Sequence, residues 1–222
     1  VFMQTVDTEL RHAADKTVIQ AMMDDLMVSF SRGQDYHYNY YFDTDDDSLL
    51  NRQITLRCRT IIDEASKRSF LTLKIPASDS QTYMELTQEL TDTEMRELVY
   101  SNILPYGEIK DLTAIHGGHV LKKQTIRVSR VVAPYIDIDI FFDKITVRGI
   151  PHYEIGTKIS AGPNQEVDHK KDLFIKFLKT FGETFTPAPR RSYTYRNHWV
   201  YPTYLKTPFS QKIWESGVFL KA

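Results

Sequence analysis

The chain has 222 residues, a net charge of −1, 41% hydrophobic residues and 26% charged ones. That balance suits a globular chain of one large or two small domains, and it excludes a general polycation built for nucleic acid or membrane surfaces. The lone cysteine, Cys58, excludes an intrachain disulfide and a multi-cysteine zinc site, and it fits a reducing cytoplasm. No apolar run reaches membrane-spanning length, and the opening residues show no basic segment followed by an apolar one. Neither an anchor nor a leader is expected.

In chain order, "VDTELR" alternates like a strand, with Asp7, Glu9 and Arg11 on one parity. "DKTVIQAMMDDLMVSF" has a helical rhythm, with Asp15 as N-cap and Val18, Ile19, Met22, Met23, Leu26 and Met27 as its core stripe. "SRGQD" breaks it. The aromatic "YHYNYYFDT" predicts a strand and "DTDDDS" a turn; that turn lacks the spacing and distal glutamate of a calcium loop. "QITLRCRTI" and "SFLTLKIP" predict a hairpin closed by "DEASKR", and "SQTYMELTQEL" a further strand. "TDTEMRELVYSNIL" predicts a helix capped by Thr91 or Asp92. After turns at "PYGEI" and "HGGH", strands are expected over "VLKKQTIRVSRVV", "YIDIDIFFDKITV" and "PHYEIGTKIS". "DHKKDLFIKFLKTFG" reads as an amphipathic helix that buries Leu173, Phe174, Phe177, Leu178 and Phe181.

Many strands and few helices predict an α+β fold, in which about eight antiparallel strands close into a barrel flanked by helices. The tunnel domain is expected over residues 1–185. Residues 186–222, with six Lys/Arg against one Glu and eight aromatics, are expected as a C-terminal extension packed on the same domain. Arginines interleaved with aromatics there suit single-stranded nucleic acid, but the cations are few, so packing over the barrel mouth is the expected role and nucleic acid is not an expected partner.

Charge recurs on one parity in strand after strand. Arg11, Arg57, Arg59, Lys74 and either Arg130 or Arg127 form a basic set suited to phosphate oxygens. Asp7, Glu9, Glu85, Asp143 and Glu154 form an acidic set suited to Mg²⁺ or Mn²⁺. Taken singly, each strand could show these residues to solvent. Taken together, they predict a charged interior.

In order and spacing, "YYFDT", "SLL", "ITLRCR" and "LTLK" resemble the CYTH superfamily, the triphosphate tunnel metalloenzymes, over roughly residues 5–180. "DTELR" resembles the family's E-x-E-x-K with charge kept at each position, while Asp45 stands where proline is usual. The small single-domain bacterial members are the nearest in appearance. The resemblance implies a tunnel in which Arg11, Arg57, Arg59, Lys74 and Arg130 hold a small anionic substrate. It also implies that Asp7, Glu9, Glu85, Asp143 and Glu154 hold Mg²⁺ or Mn²⁺, with Glu9 and Glu154 catalytic, and that the activity is hydrolysis of inorganic triphosphate or of a nucleoside or thiamine triphosphate. One strand departs from the pattern. The family's E-x-E-x-E is here Glu154-Ile155-Gly156-Thr157-Lys158, so one carboxylate is missing and one is replaced by an ammonium. If the strand keeps its parity, Lys158 joins the phosphate-binding set and metal affinity falls; if it bulges at Gly156, Lys158 turns to solvent. A triphosphatase and a weakly active or inactive polyphosphate- or nucleotide-binding module both remain open.

Overall fold

Alternation along a strand sends one set of side chains to each side of a sheet, and closure of the sheet decides which side becomes the interior. The computed structural model describes residues 2–30, 35–77, 81–117, 119–160, 164–188 and 191. Among them run β1 (Phe2–Ala13), α1 (Lys16–Asp25), β2 (Asp35–Asp43), α2 (Ser48–Asn51), β3 (Thr55–Ile62), β4 (Lys67–Pro76) and β5 (Thr82–Leu90). Then come α3 (Asp92–Ser101), α4 (Glu108–Ala114), β6 (Leu121–Tyr135), β7 (Ile138–Val147), β8 (Ile150–Ser160) and α5 (Asn164–Thr180). The strands close into a barrel in the order β1-β5-β4-β3-β2-β6-β7-β8, with antiparallel pairing throughout. The closed antiparallel barrel with flanking helices is the expected fold.

The apolar core lies mainly outside the barrel wall. On one side, α1 and α5 cover Leu10, Ile140, Phe142 and Ile155 through Ile19, Met22, Phe174 and Phe177. On the other, α2, α3 and α4 cover Leu56, Cys58, Leu71, Leu73 and Leu86 through Leu49, Leu98 and Ile109. The opposite parity faces inward. Part of the interior is filled by Tyr41, Ile126, Val128 and Ile145, and charged groups line the rest.

Local chemistry sets several boundaries. Thr91 and Glu94 form a capping box at the start of α3. The Asp43 carboxylate accepts hydrogen bonds from the backbone N–H groups of Thr44, Leu49 and Leu50 at 2.7, 2.9 and 2.9 Å, which clasps the turn into α2. Four elements differ from the sequence reading. The helix α1 stops at Asp25, and Met27, expected in the core, is 92% exposed with a φ of 57°. Asp24 and Asp25 oppose the helix dipole at that end, where acidic residues are unfavourable. Helix α2 begins at the last residue of the "DTDDDS" turn, where no element is expected, and helix α4 begins within the "PYGEI" stretch expected as a turn. "YIDIDIFFDKITV" is not one strand: Tyr135 ends β6 and the chain turns at Ile136, with a φ of 54°, before β7. The "SRGQ" break and residues 192–222 of the extension lie outside the described residues.

Gly156 marks a close approach of β8 to β1. A Cβ at this position would lie 2.9 Å from the backbone oxygen of Leu10, an atom that cannot swing aside. Gly156→Ala is therefore expected to destabilise the fold by about 1–3 kcal/mol through overpacking. Urea unfolding reads this directly, and a midpoint equal to the parent's would show that β1 yields at no cost.

Candidate functional site

The barrel encloses a cavity of about 110 Å³, room for several waters or a small anionic group. Its wall includes Glu9 and Arg11 from β1, Arg57 and Arg59 from β3, Lys74 from β4, Glu85 from β5, Arg130 from β6, Asp143 from β7 and Glu154, Gly156 and Lys158 from β8. The register between β8 and its neighbours runs unbroken through Gly156, so Glu154 and Lys158 keep one parity and both face inward. Asp7, deeper along β1, is 1% exposed and meets Lys158 Nζ at 2.9 Å. Arg130 is the inward arginine of β6. Arg127 is exposed, with its guanidinium over the ring of Tyr38 at 5.6 Å, so the alternative choice on that strand fails.

The charges sort into two nests. In the first, Lys74 bridges Glu9 and Glu85, the latter at 3.0 Å, and Lys158 reaches Asp7 and, at 3.4 Å, Glu85. In the second, Arg130 grips Asp143 with two bonds of 2.7 Å. Arg191, which is 7% exposed, donates to Asp143 at 2.6 Å and through Nε to Glu154 at 3.0 Å. Arg11 stands 3.6 Å from Glu154. Burial alone would raise the carboxyls. Instead Lys74 and Arg11 hold Glu9 well below its ordinary range, Lys74, Arg57 and Lys158 bring Glu85 down to about 2, and Arg130 and Arg191 hold Asp143 low.

The basic wall is less completely answered. Arg57 is 8% exposed, and its Nε has no hydrogen-bond partner among the described residues. Burial, with Arg57 and Arg130 close by, pulls Arg59 down to about 9, still charged at neutral pH; its Nε donates to Asn39 at 2.8 Å. An orphaned buried donor beside crowded like charges is the electrostatic preparation for an anion.

The sequence profile of the CYTH domain matches residues 29–188. The chain belongs to the CYTH family. Its fold is similar to that of a putative adenylate cyclase from Bacillus halodurans, at TM-score 0.72 and 25% identity, over 85% of this chain and 96% of that one. It is also similar to a putative adenylyl cyclase from Hippeastrum described as having a dominant triphosphatase activity, at TM-score 0.67 and 20% identity, over 90% and 98%. A Pyrococcus horikoshii protein matches at TM-score 0.58 and 16% identity, over 81% and 93%. No curated protein matches the chain. The CYTH match begins after β1 and ends before Arg191, so Asp7, Glu9, Arg11 and Arg191 are placed by the fold alone.

CYTH proteins are typically metal-dependent, but the donor set here does not fit a resident metal ion. Among the described residues no three His, Cys, Asp or Glu side chains gather as ligands. Asp143 and Glu154 are cross-strand partners, yet a guanidinium bridges them, and the other carboxylates face Lys74 and Lys158. Gly156 supplies no ligand.

Sequence reading missed two groups. Arg191 was visible only as a basic residue of the extension, and nothing in its neighbourhood ties it to Asp143 or Glu154. His37 is 4% exposed on the inward parity of β2, with neither ring nitrogen hydrogen-bonded among the described residues. Burial, with Arg59 and Arg130, lowers it from 6.5 to about 2, so it stays neutral.

These values give stability a defined pH dependence. The lowered carboxyls stabilise fully above about 4.5, the ordinary value for Glu85, and lose that contribution as the pH falls toward 2. Neutral His37 stabilises above 6.5, and that contribution declines from there downward. Thermal unfolding should show a gentle fall in Tm below pH 6.5 and a steeper one below about 4.5. His37→Asn should flatten the upper part, and an unchanged slope between pH 6.5 and 4.5 would refute the burial of an uncharged imidazole.

Proposed function

We propose that the tunnel binds a linear triphosphate, either inorganic or the triphosphate head of a nucleotide or of thiamine, and hydrolyses its terminal phosphoanhydride. The observation that carries this reading is the inward convergence of Arg57, Arg59, Lys74, Arg130 and Arg11 on one cavity, with the buried Arg57 Nε unanswered. Guanidinium groups hold phosphate oxygens through paired N–H donors, and Lys74 and Lys158 add point charges. The tunnel keeps them in a low-dielectric setting, where they are worth more than on a surface.

Hydrolysis needs positioning more than covalent help. A water attacks the terminal phosphorus and the bond from that phosphorus to the bridging oxygen breaks. Phosphate leaves with one of the water's protons on its new oxygen, the other proton passes to the leaving diphosphate or to solvent, and that diphosphate is free or still joined to the nucleoside or thiamine. The cationic wall spreads the charge that builds on the leaving oxygen. Glu9, the more accessible of the proposed catalytic carboxylates, orients the water, and Glu154 holds Arg11 and Arg191 in place. Mg²⁺ or Mn²⁺ enters this reading only as part of the substrate complex, since Mg²⁺ bound to phosphates needs few protein carboxylates. A reducing cytoplasm suits the buried, unpaired Cys58.

A second reading, a polyphosphate-binding module without turnover, is favoured by Gly156 and Lys158, which stand where the family pattern has carboxylates. Phosphate release from tripolyphosphate and ATP, with Mg²⁺, with Mn²⁺ and with chelator, separates the two. Binding without release under every condition would eliminate the hydrolase.

Arg57→Ala should weaken tripolyphosphate binding at least about tenfold, since a charge-assisted contact is worth about 1.5–3 kcal/mol. Calorimetry giving equal affinity for variant and parent, both folded by circular dichroism, would remove Arg57 from the site.

A further inference from the structure

The C-terminal segment enters the site by a route the fold makes explicit. Pairing of β1 with β5 runs from Phe2 to Thr8, and the Glu9 N–H still donates to the Gln81 carbonyl at 2.9 Å; beyond Glu9 no β5 residue pairs with β1. The chain after α5 fills the gap. Pro187 bridges to His12, Ala188 N–H donates to the Arg11 carbonyl at 2.7 Å, and the His12 ring meets Glu183 at 3.0 Å. Gln124 of β6 then holds the Arg191 carbonyl at 2.8 Å. Bonds at Ala188 and at the Arg191 carbonyl accompany the delivery of one guanidinium into the tunnel. Its targets are Asp143, 3% exposed, and Glu154, 1% exposed, a cross-strand pair of buried carboxylates that Arg130 and Arg11 each reach on one side only, so that among the described residues Arg191 alone bridges the two.

We propose that Arg191 is a tethered counter-cation that takes the position of a divalent metal ion between Asp143 and Glu154, and so sets the tunnel to take linear polyphosphates without a metal ion resident on the protein. Three observations converge on it. The guanidinium satisfies both carboxylates at once, a ligand geometry that a cation would share. Lys158 does the same for Asp7 and Glu85 at the other nest, so both acidic nests are neutralised from within the chain. Between Glu154 and Lys158 the inward position of β8 is Gly156, which offers no ligand, and a Cβ there would lie 2.9 Å from the Leu10 oxygen. Unlike a metal ion, the arginine cannot dissociate into bulk solvent, so the neutralisation does not depend on metal concentration. The polyphosphate part of this proposal rests on the functional reading above; the metal part does not.

The test has a metal arm and a substrate arm. In calorimetric titration without substrate, the parent should bind Mn²⁺ only in the millimolar range, and Arg191→Ala at least tenfold more tightly. With chelator present, Arg191→Ala should bind tripolyphosphate at least tenfold more weakly than the parent, and added Mn²⁺ should narrow that gap. Arg191→Lys, which keeps the charge and loses the fork, should fall between the two in both arms. Unchanged Mn²⁺ affinity in Arg191→Ala overturns the proposal. So does a parent that saturates with Mn²⁺ at micromolar concentration, a result that stands even if the alanine variant fails to fold. Failure of tripolyphosphate to bind any form would sink the functional reading and leave the Mn²⁺ arm to decide the role of Arg191.

Discussion

The structure depends on the cost of placing charge inside a barrel. A carboxylate or guanidinium removed from water must find an opposite charge or a dense set of hydrogen bonds. Here the interior answers its carboxylates with cationic side chains: Lys74 for Glu9 and Glu85, Lys158 for Asp7, and Arg130 and Arg191 for Asp143. Because the interior holds charge, most of the hydrophobic core must form elsewhere. It forms on the outer wall, where the two groups of helices cover opposite sides. The helices are therefore the element that lets a wet barrel stand, and the small inner cluster around Ile126 and Ile145 is a minor addition.

Much of this was legible in the sequence because strand periodicity separates the two faces residue by residue. Leu56 and Cys58 against Arg57 and Arg59 already state which side is covered and which is charged, and closure turns that pattern into an inside and an outside. The inward choice of Arg130 over Arg127 follows from the same parity once the register with Asp143 is known. Where local pattern does not carry the information, the reading stopped. The turn at Ile136 is led by a β-branched residue in a conformation that such residues rarely adopt, so no turn signal marks it. Helix α4 follows a glycine and a proline that punctuate more loudly than its short apolar rhythm.

Arg191 shows the deeper limit. Its partners lie far away in sequence, on β7 and β8, and its approach is fixed by the bond from the Ala188 N–H to the Arg11 carbonyl of β1 and by the Gln124 side chain on its own carbonyl. Spacing rules cannot see a contact made by a return of the chain. The same holds for His37, whose lack of hydrogen-bond partners among the described residues is a property of the assembled interior. Both alter the electrostatic character of the tunnel, one by adding charge and the other by refusing it.

The Asp43 clasp carries a different lesson. "YYFDT" was among the clearest signs of kinship, yet its aspartate spends its carboxylate on the backbone of the turn into α2 and is not part of the tunnel wall. The stretch of letters by which such a chain is recognised is thus a fastening of the scaffold. A relative could exchange every tunnel side chain, lose all reactivity and still spell that word, so a census built on it gathers architectures and leaves catalysts to be sorted by the inward residues of β1 and β8.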